Sequence, residues 1–181
     1  MTIVLVGGGV RSGKSAFALA RAEALGTRRT FVATGEALDG EMDERIARHK
    51  AERGDRFTTV EAPVELPAAL AALDTDVALV DCLTLWLSNL LCREEPASRI
   101  LARIDELALV LARRRYHTVV VTNEVGMGVV PPSPLGRAFR DLAGTAHQRL
   151  AACADELHFA VLGTVLRLRP LPITGVDHAL R

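Results

Sequence analysis

Short apolar runs alternate with longer segments of helical periodicity along most of the chain. The apolar runs predict strands at about 2–6, 29–34, 57–61, 77–81, 117–122, 156–162 and 164–169. Between them, strong helix formers predict helices at about 14–25, 40–53, 65–73, 84–92, 98–115 and 135–152. This alternation is typical of βαβ units, so we expect an α/β fold with a mostly parallel sheet and helices on both faces.

The first predicted strand leads directly into a glycine-rich segment that fits the pattern G-x-x-x-x-G-K-[ST]. A buried strand, a glycine-rich turn and a helix together direct several backbone N–H groups and a helix dipole at one anion. Lys14 would reach the β- and γ-phosphates of a nucleoside triphosphate, and Ser15 would hold Mg²⁺. The sequence therefore predicts a P-loop NTPase-like, RecA-like sheet. The predicted phosphate-binding residues are Gly8, Gly9, Val10, Arg11, Ser12, Gly13, Lys14 and Ser15.

The composition narrows the kinds of partner and the domain organisation. A chain of 181 residues fits one domain, and we assign 1–169 to a catalytic domain and 170–181 to a loosely ordered tail. Lysine plus arginine and aspartate plus glutamate both number 22, so no overall field attracts nucleic acid or a membrane surface. The N-terminus resembles no signal peptide, and no segment approaches the roughly 18 apolar residues of a membrane span. The three cysteines form no C-x-x-C motif. We expect a cytoplasmic protein.

Carboxylates follow several of the predicted strands, where ligands bind in sheets of this kind. Asp81 comes directly after the apolar run Val77-Ala78-Leu79-Val80. A Walker B element coordinates Mg²⁺ from this position, although a helix N-cap is the alternative interpretation. Glu61 and Glu124 occupy equivalent strand ends, and each could instead be a solvated loop carboxylate. The predicted metal ligands are Ser15 and Asp81.

The predicted helix at 40–53 carries a stripe of Arg45, His49 and Arg53 at i, i+4 and i+8. A charged, solvated helix face is the simpler interpretation. However, two guanidinium groups disfavour the cationic form of an imidazole between them and would also gather phosphate oxygens. The stripe therefore suits a histidine that attacks phosphorus. The other histidines lie in no evident constellation and are interpreted as structural: His117, His147, His158 and His178.

Further sequence blocks accompany the P-loop. They are Ala33-Thr34, the stretch from Asp39-Gly40-Glu41-Met42 through Arg45-Ile46 and His49 to Arg53, then Glu61, Asp81, Thr122-Asn123-Glu124-Val125-Gly126-Met127-Gly128, Phe139-Arg140-Asp141-Leu142-Ala143-Gly144 and Gln148-Arg149-Leu150-Ala151. This set resembles the family of bifunctional cobalamin-biosynthesis enzymes with adenosylcobinamide kinase and adenosylcobinamide-phosphate guanylyltransferase activities. The resemblance extends from the P-loop to about Leu168.

The resemblance implies two uses of nucleotide. The hydroxyl of the aminopropanol arm of adenosylcobinamide first takes a phosphoryl group from ATP or GTP. GTP then guanylylates an enzyme histidine, and GMP passes to the new phosphate to give adenosylcobinamide-GDP. That histidine matches His49, which with Lys14 becomes the predicted catalytic pair. The resemblance also implies nucleotide contacts at Ala33, Thr34, Gly35, Lys50, Ala51, Glu52, Arg53, Glu61 and Asp81.

The implied partners are adenosylcobinamide, GTP and ATP, with Mg²⁺ as cofactor. Some members of the family are homotrimers, and a similar assembly is compatible with this chain. Two other functions remain open at this point. A single-activity P-loop kinase would form no covalent nucleotide intermediate. A regulatory GTPase would carry an Asn-Lys-x-Asp element, and this chain has no Asn-Lys dipeptide.

Overall fold

A computed structural model of the protein describes residues 1–36, 40, 47, 50, 51, 53–113 and 115–176. The strands are β1 Ile3–Gly8, β2 Arg29–Ala33, β3 Thr58–Glu61, β4 Val77–Asp81, β5 His117–Val121, β6 Glu156–Val161, β7 Thr164–Arg169 and β8 Thr174–Val176. The helices among these residues are α1 Lys14–Leu25, α2 Leu66–Ala72, α3 Leu83–Cys92, α4 Ala97–Ala112 and α5 Pro134–Cys153, with a 3-10 helix at Gly54–Arg56.

The strands form one eight-stranded sheet in the order β3-β2-β4-β5-β1-β6-β7-β8. The pairs from β3 to β6 are parallel, while β7 and β8 are antiparallel to their neighbours. This confirms the predicted mostly parallel sheet and its seven predicted strands. The eighth strand was not predicted: Thr174–Val176 lies within the segment that we expected to be loosely ordered, and it pairs with β7.

Both faces of the sheet are covered, which explains why the central strands β1, β4 and β5 are largely apolar. In β1, Ile3 and Leu5 pack on one face, and Val4 and Val6 pack on the other. Helix α1 covers the face of Val4 and Val6 with residues that include Phe17. Helices α2, α3, α4 and α5 all contribute buried side chains to the opposite cluster. The predicted helices on both faces are therefore confirmed.

The predicted helix at 40–53 falls mostly outside the described residues. Gly40, Ala47, Lys50, Ala51 and Arg53 are described, and all five are helical. Gly54 follows with a φ of 52°, a left-handed conformation that favours glycine, and the chain continues into the 3-10 helix. Three of the predicted site residues, Arg45, His49 and Glu52, lie outside the described residues.

Candidate nucleotide-binding site

The P-loop occupies the turn between β1 and α1, as the sequence predicts. Gly13 precedes the first residue of α1 with a φ of 93°, a backbone conformation that side chains with a Cβ rarely adopt. At Gly8, a Cβ atom would lie 2.5 Å from the Ala160 carbonyl oxygen and 2.8 Å from the Ser12 Oγ. At Gly9, a Cβ would meet nothing within 4 Å. The two glycines that the motif pattern fixes are therefore required for different steric reasons, the contacts at Gly8 and the positive φ at Gly13. Gly9 lies between them and shows no such requirement.

The interior of this turn presents groups that favour an anion. Lys14 is only 7% exposed, and its Nζ donates a hydrogen bond to the Gly9 carbonyl at 2.9 Å. The Ser12 hydroxyl is buried and has no hydrogen-bond partner within the described part of the chain. Gly13, as the N-cap residue of α1, offers no side-chain hydrogen bond to the first backbone N–H groups, and the first turn contains no acidic residue. A phosphate would supply the missing acceptors at the positive end of the helix dipole.

The carboxyl ends of five adjacent strands bring the other predicted positions into one row. Across the sheet, Glu61 pairs with Ala33, Ala33 with Asp81, Asp81 with Val121, and Val121 with Val6. Val6 is two residues before the P-loop motif. The structure therefore places the predicted contacts at Glu61, Ala33 and Asp81 along the same edge of the sheet from which the P-loop emerges.

Asp81 and the P-loop lysine act on a common neighbour, the buried thiol of Cys82. Burial raises the pKa of this thiol, the charge of Asp81 raises it further, and the charge of Lys14 lowers it. Asp81 and Lys14, which carry opposite charges, therefore both lie close enough to Cys82 to act on its thiol. Helix α3 begins at Leu83, with Cys82 at its N-cap. This geometry does not favour the N-cap interpretation of Asp81, and the carboxylate remains at the strand end.

Thr34 and Gly35 continue from the end of β2 beside this row. Thr34 is fully buried, and its hydroxyl joins β2 to β4 because it accepts the Cys82 N–H at 2.7 Å and donates to the Cys82 carbonyl at 2.7 Å. The Asn89 amide donates to the Thr34 carbonyl at 2.7 Å. Thr34 therefore fixes the shape of this edge, whatever nucleotide contact it makes.

The segment around Lys50 and Arg53 reaches the same edge. The Lys50 Nζ lies 3.8 Å from an oxygen of Glu61. Arg53 is 4% exposed, and its guanidinium carbon lies 3.6 Å from the centroid of the Phe31 ring in β2. Arg56 pairs with Glu23 of α1. Ala51 is exposed. These contacts attach the described residues on the C-terminal side of position 49 to the sheet and to α1.

One cluster beside the P-loop was not recognised in the sequence. The Thr122 Oγ1 lies 2.7 Å from His147 Nε2, and His147 Nδ1 lies 3.8 Å from Glu124 Oε2. The Glu124 N–H donates to the Gly8 carbonyl at 3.0 Å, which attaches the cluster to the start of the P-loop. Burial lowers the pKa of His147, although the charge of Glu124 opposes this effect. The pattern gave no signal because His147 is 23 positions from Glu124 and meets it only through the packing of α5.

In the parts of the chain that the structure describes, no group of three or more His, Cys, Asp or Glu side chains is arranged to hold a metal ion. Within the same residues, no helix is both long enough and apolar enough to cross a bilayer. A P-loop metal site needs fewer protein ligands, because Mg²⁺ uses one or two side chains together with substrate phosphates.

A glycine-rich turn, a buried lysine and strand-end carboxylates on a mostly parallel sheet define a P-loop nucleotide-binding protein. Solved structures agree on this fold. The ATPase domain of G40P matches with a TM-score of 0.57 and 12% identity, over 97% of this chain and 80% of that chain. The RadB recombinase matches with a TM-score of 0.53 and 16% identity, over 99% and 82%. These similarities confirm the predicted P-loop NTPase-like, RecA-like fold.

Sequence comparison defines the family within this class. A family model described as cobinamide kinase / cobinamide phosphate guanyltransferase matches residues 4–168. The bifunctional adenosylcobalamin biosynthesis protein CobP of Pseudomonas aeruginosa is 40% identical over 173 residues, covering 94% of this chain and 96% of the relative. The corresponding protein CobU of Salmonella typhimurium is 38% identical over 184 residues, covering 92% and 99%. The chain belongs to the cobinamide kinase / cobinamide phosphate guanyltransferase family, which confirms the resemblance seen in its motifs.

Proposed function

We propose that this chain phosphorylates adenosylcobinamide with ATP or GTP, and then transfers GMP from GTP to the product to give adenosylcobinamide-GDP. Family membership supports both activities and the place in cobalamin biosynthesis. The observation that carries the proposal is the position of the P-loop beside the row of strand-end residues from Glu61 to Val6. A triphosphate bound along this row can present either its γ-phosphorus or its α-phosphorus to an attacking group.

The two transfers use the same groups on different bonds. In the first, the acceptor alcohol attacks the γ-phosphorus, and a nucleoside diphosphate leaves. In the second, a nitrogen of His49 attacks the α-phosphorus of GTP, the bond to the bridging oxygen breaks, and the electron pair leaves with pyrophosphate. An oxygen of the corrinoid phosphate then attacks the same phosphorus, and the bond to His49 breaks with its electron pair returning to the imidazole. Lys14, the P-loop N–H groups and the Ser12 hydroxyl stabilise the charge that develops on the leaving group in both cases.

The assignment of His49 rests on the resemblance and on the contacts of its described neighbours. Lys50 reaches Glu61 at the end of β3, and Arg53 stacks on Phe31 in β2. Nucleotide contacts from Lys50, Ala51, Glu52 and Arg53 belong to the same proposal, as do those from Ala33, Thr34, Gly35, Glu61 and Asp81. These contacts are consistent with a nucleotide that lies along the carboxyl edge of the sheet.

The residues present also fit Mg²⁺, which we propose as the cofactor. Ser15 is the second residue of α1, and Asp81 ends β4 in the row that leads to the P-loop. A hydroxyl and a carboxylate oxygen are the ligands that Mg²⁺ takes together with phosphate oxygens. When bound, the ion would neutralise negative charge on the phosphates. We further propose a cytoplasmic location, and an assembly into homotrimers like that of some members of the family.

The covalent intermediate provides the sharpest test of the function. We expect GTP labelled at the α-phosphorus to leave label on the protein that survives alkali and is lost in acid, as a phosphoramidate does. The His49→Ala variant should take up no label, while the His117→Ala variant should label as the unchanged protein does. His117 is the matched control because it lies at the amino end of β5, at the opposite edge of the sheet.

The result on the unchanged protein separates the candidate functions. Label that chases onto adenosylcobinamide phosphate supports both activities. Phosphorylation of adenosylcobinamide without any protein adduct would instead show a single-activity kinase. Equal labelling of the His49→Ala variant and the unchanged protein would overturn the assignment of the nucleophile while leaving the guanylyltransferase activity in place.

A further inference from the structure

Glu124 lies just beyond the carboxyl end of β5, at the same edge of the sheet as the P-loop. Strand β5 is between β1, which carries the P-loop, and β4, which ends in Asp81. Val121, the last residue of β5, pairs with both Val6 and Asp81. The residues that follow Val121 therefore emerge between the phosphate-binding turn and the proposed metal ligand. Glu61, by comparison, lies on the edge strand β3 and is paired with Lys50.

Three contacts position Glu124, one on its backbone and two on its carboxylate. Its backbone N–H donates to the Gly8 carbonyl at 3.0 Å, so the residue is attached to the start of the P-loop. The Gly126 N–H donates to Oε1 at 2.5 Å. His147 Nδ1 lies 3.8 Å from Oε2, the other oxygen. The Glu124 side chain is 27% exposed, so a substrate hydroxyl can still approach the carboxylate.

The charge of Glu124 favours the His147 tautomer that carries its proton on Nδ1, the nitrogen that faces the carboxylate. If the Thr122 hydroxyl donates to Nε2, the ring proton lies on Nδ1 and points toward the carboxylate. The other tautomer would direct a nitrogen lone pair at the negative charge, which is unfavourable. Burial keeps the pKa of His147 low, and Glu124 is the charged group among the described residues that opposes this. His147 is therefore neutral near neutral pH and donates toward Glu124.

We propose that Glu124 is the base that accepts the hydroxyl proton of the phosphoryl acceptor, and that His147, bonded to Thr122, is a positioning residue for its carboxylate. This inference rests on the proposed kinase activity. The alcohol oxygen forms a bond to the γ-phosphorus, and the bond from that phosphorus to the bridging oxygen breaks. The electron pair leaves with the nucleoside diphosphate, and the alcohol proton passes to Glu124 and then to water.

Glu124 should matter for only one of the two reactions. Guanylylation of the protein has no alcohol to deprotonate, so its rate without corrinoid serves as an internal control. We expect Glu124→Gln to lower phosphoryl transfer to adenosylcobinamide by about 100-fold or more, the usual contribution of a general base. Labelling by α-labelled GTP should persist, and the exposed Glu106→Gln variant on α4 should retain both reactions.

The position of the carboxylate can be changed without altering its chemistry. A Cβ at Gly126 would lie 2.8 Å from Glu124 Oε1, whereas a Cβ at Gly128 would meet nothing within 4 Å. Because the side chain of Glu124 can move, Gly126→Ala should fold normally but displace the base. We expect a loss of roughly 10-fold in kcat of the kinase step for Gly126→Ala and no change for Gly128→Ala.

His147 is tested through the pH profile, which a purely structural role would not move. Protonation of His147 places a cation beside Glu124 and weakens the carboxylate as a base. The acidic limb of the kinase profile should therefore shift to lower pH in His147→Gln and stay in place in His117→Gln. Equal kinase rates for Glu124→Gln and the unchanged protein, or equal loss of kinase and labelling, would overturn the inference. If the unchanged protein phosphorylates no corrinoid, the proposed function itself fails.

Discussion

At the scale of single residues, Gly8 and Gly9 of the P-loop differ in whether a Cβ atom would fit. A methyl group at Gly8 would collide with the Ala160 carbonyl of β6, a backbone atom that cannot move alone, whereas at Gly9 it meets nothing within 4 Å. We expect Gly8→Ala to lower the free energy of unfolding by about 1–3 kcal/mol and to weaken GTP binding strongly. Gly9→Ala should leave the free energy of unfolding unchanged, as urea unfolding can check. Similar losses in both variants would contradict the steric explanation.

The sequence predicts where some of the candidate site residues lie, but not which contacts they make. The positions of Asp81 and Glu61 at one edge of the sheet were predictable because each comes at the end of a predicted strand, and parallel strands bring their carboxyl ends together. The contact between His147 and Glu124 was not predictable, because it depends on how α5 packs over the sheet. The burial of Arg53 against Phe31 was equally hidden, because a charged residue on a helical stripe gives no sign of the ring beneath it.

At the scale of elements, the assignment of β8 to a tail or to the domain can be tested by truncation. Strand β8 covers Val165, Leu166 and Arg167 of β7, which would otherwise form an exposed edge. We expect a chain ending at Arg169 to lose about 2 kcal/mol, or roughly 4–8 °C in melting temperature, and to self-associate more readily. GTP binding should persist because β8 lies three strands from β1. A chain ending at Val176 is the control. Equal melting temperatures would support the predicted boundary after residue 169.

For the whole fold, the sequence was informative because both faces of the sheet are buried, so that strands appear as apolar runs and helices as the segments between them. The strand order was not available from the pattern. The placement of β5 between β1 and β4 arises from crossover connections, and it is this order that brings Glu124 between the P-loop and Asp81. The three residues of β8 were also too few to show a strand pattern.

Lowering the pH should reduce the free energy of unfolding in two separate pH ranges. Burial lowers the pKa of His117, His147 and His158, so the unfolded chain binds protons more readily below about pH 6.5. Their contribution to stability is complete above that pH and is lost as the pH falls toward the folded values. Hydrogen bonds from Arg28 and Thr27 lower the pKa of Asp76 to about 2, so its contribution is lost only between about pH 4 and 2.

Two variants should separate these ranges in urea unfolding measured from pH 8 to about pH 2. His158 packs against the Phe17 ring, with centroids 4.7 Å apart, so His158→Phe keeps an aromatic side chain there but cannot bind a proton. It should make the decline in the free energy of unfolding shallower just below pH 6.5. Asp76→Asn should make the later decline, between about pH 4 and 2, shallower, because it removes a carboxylate that loses its charge in that range. An unchanged upper slope in His158→Phe would show that this histidine is not the source of the first decline.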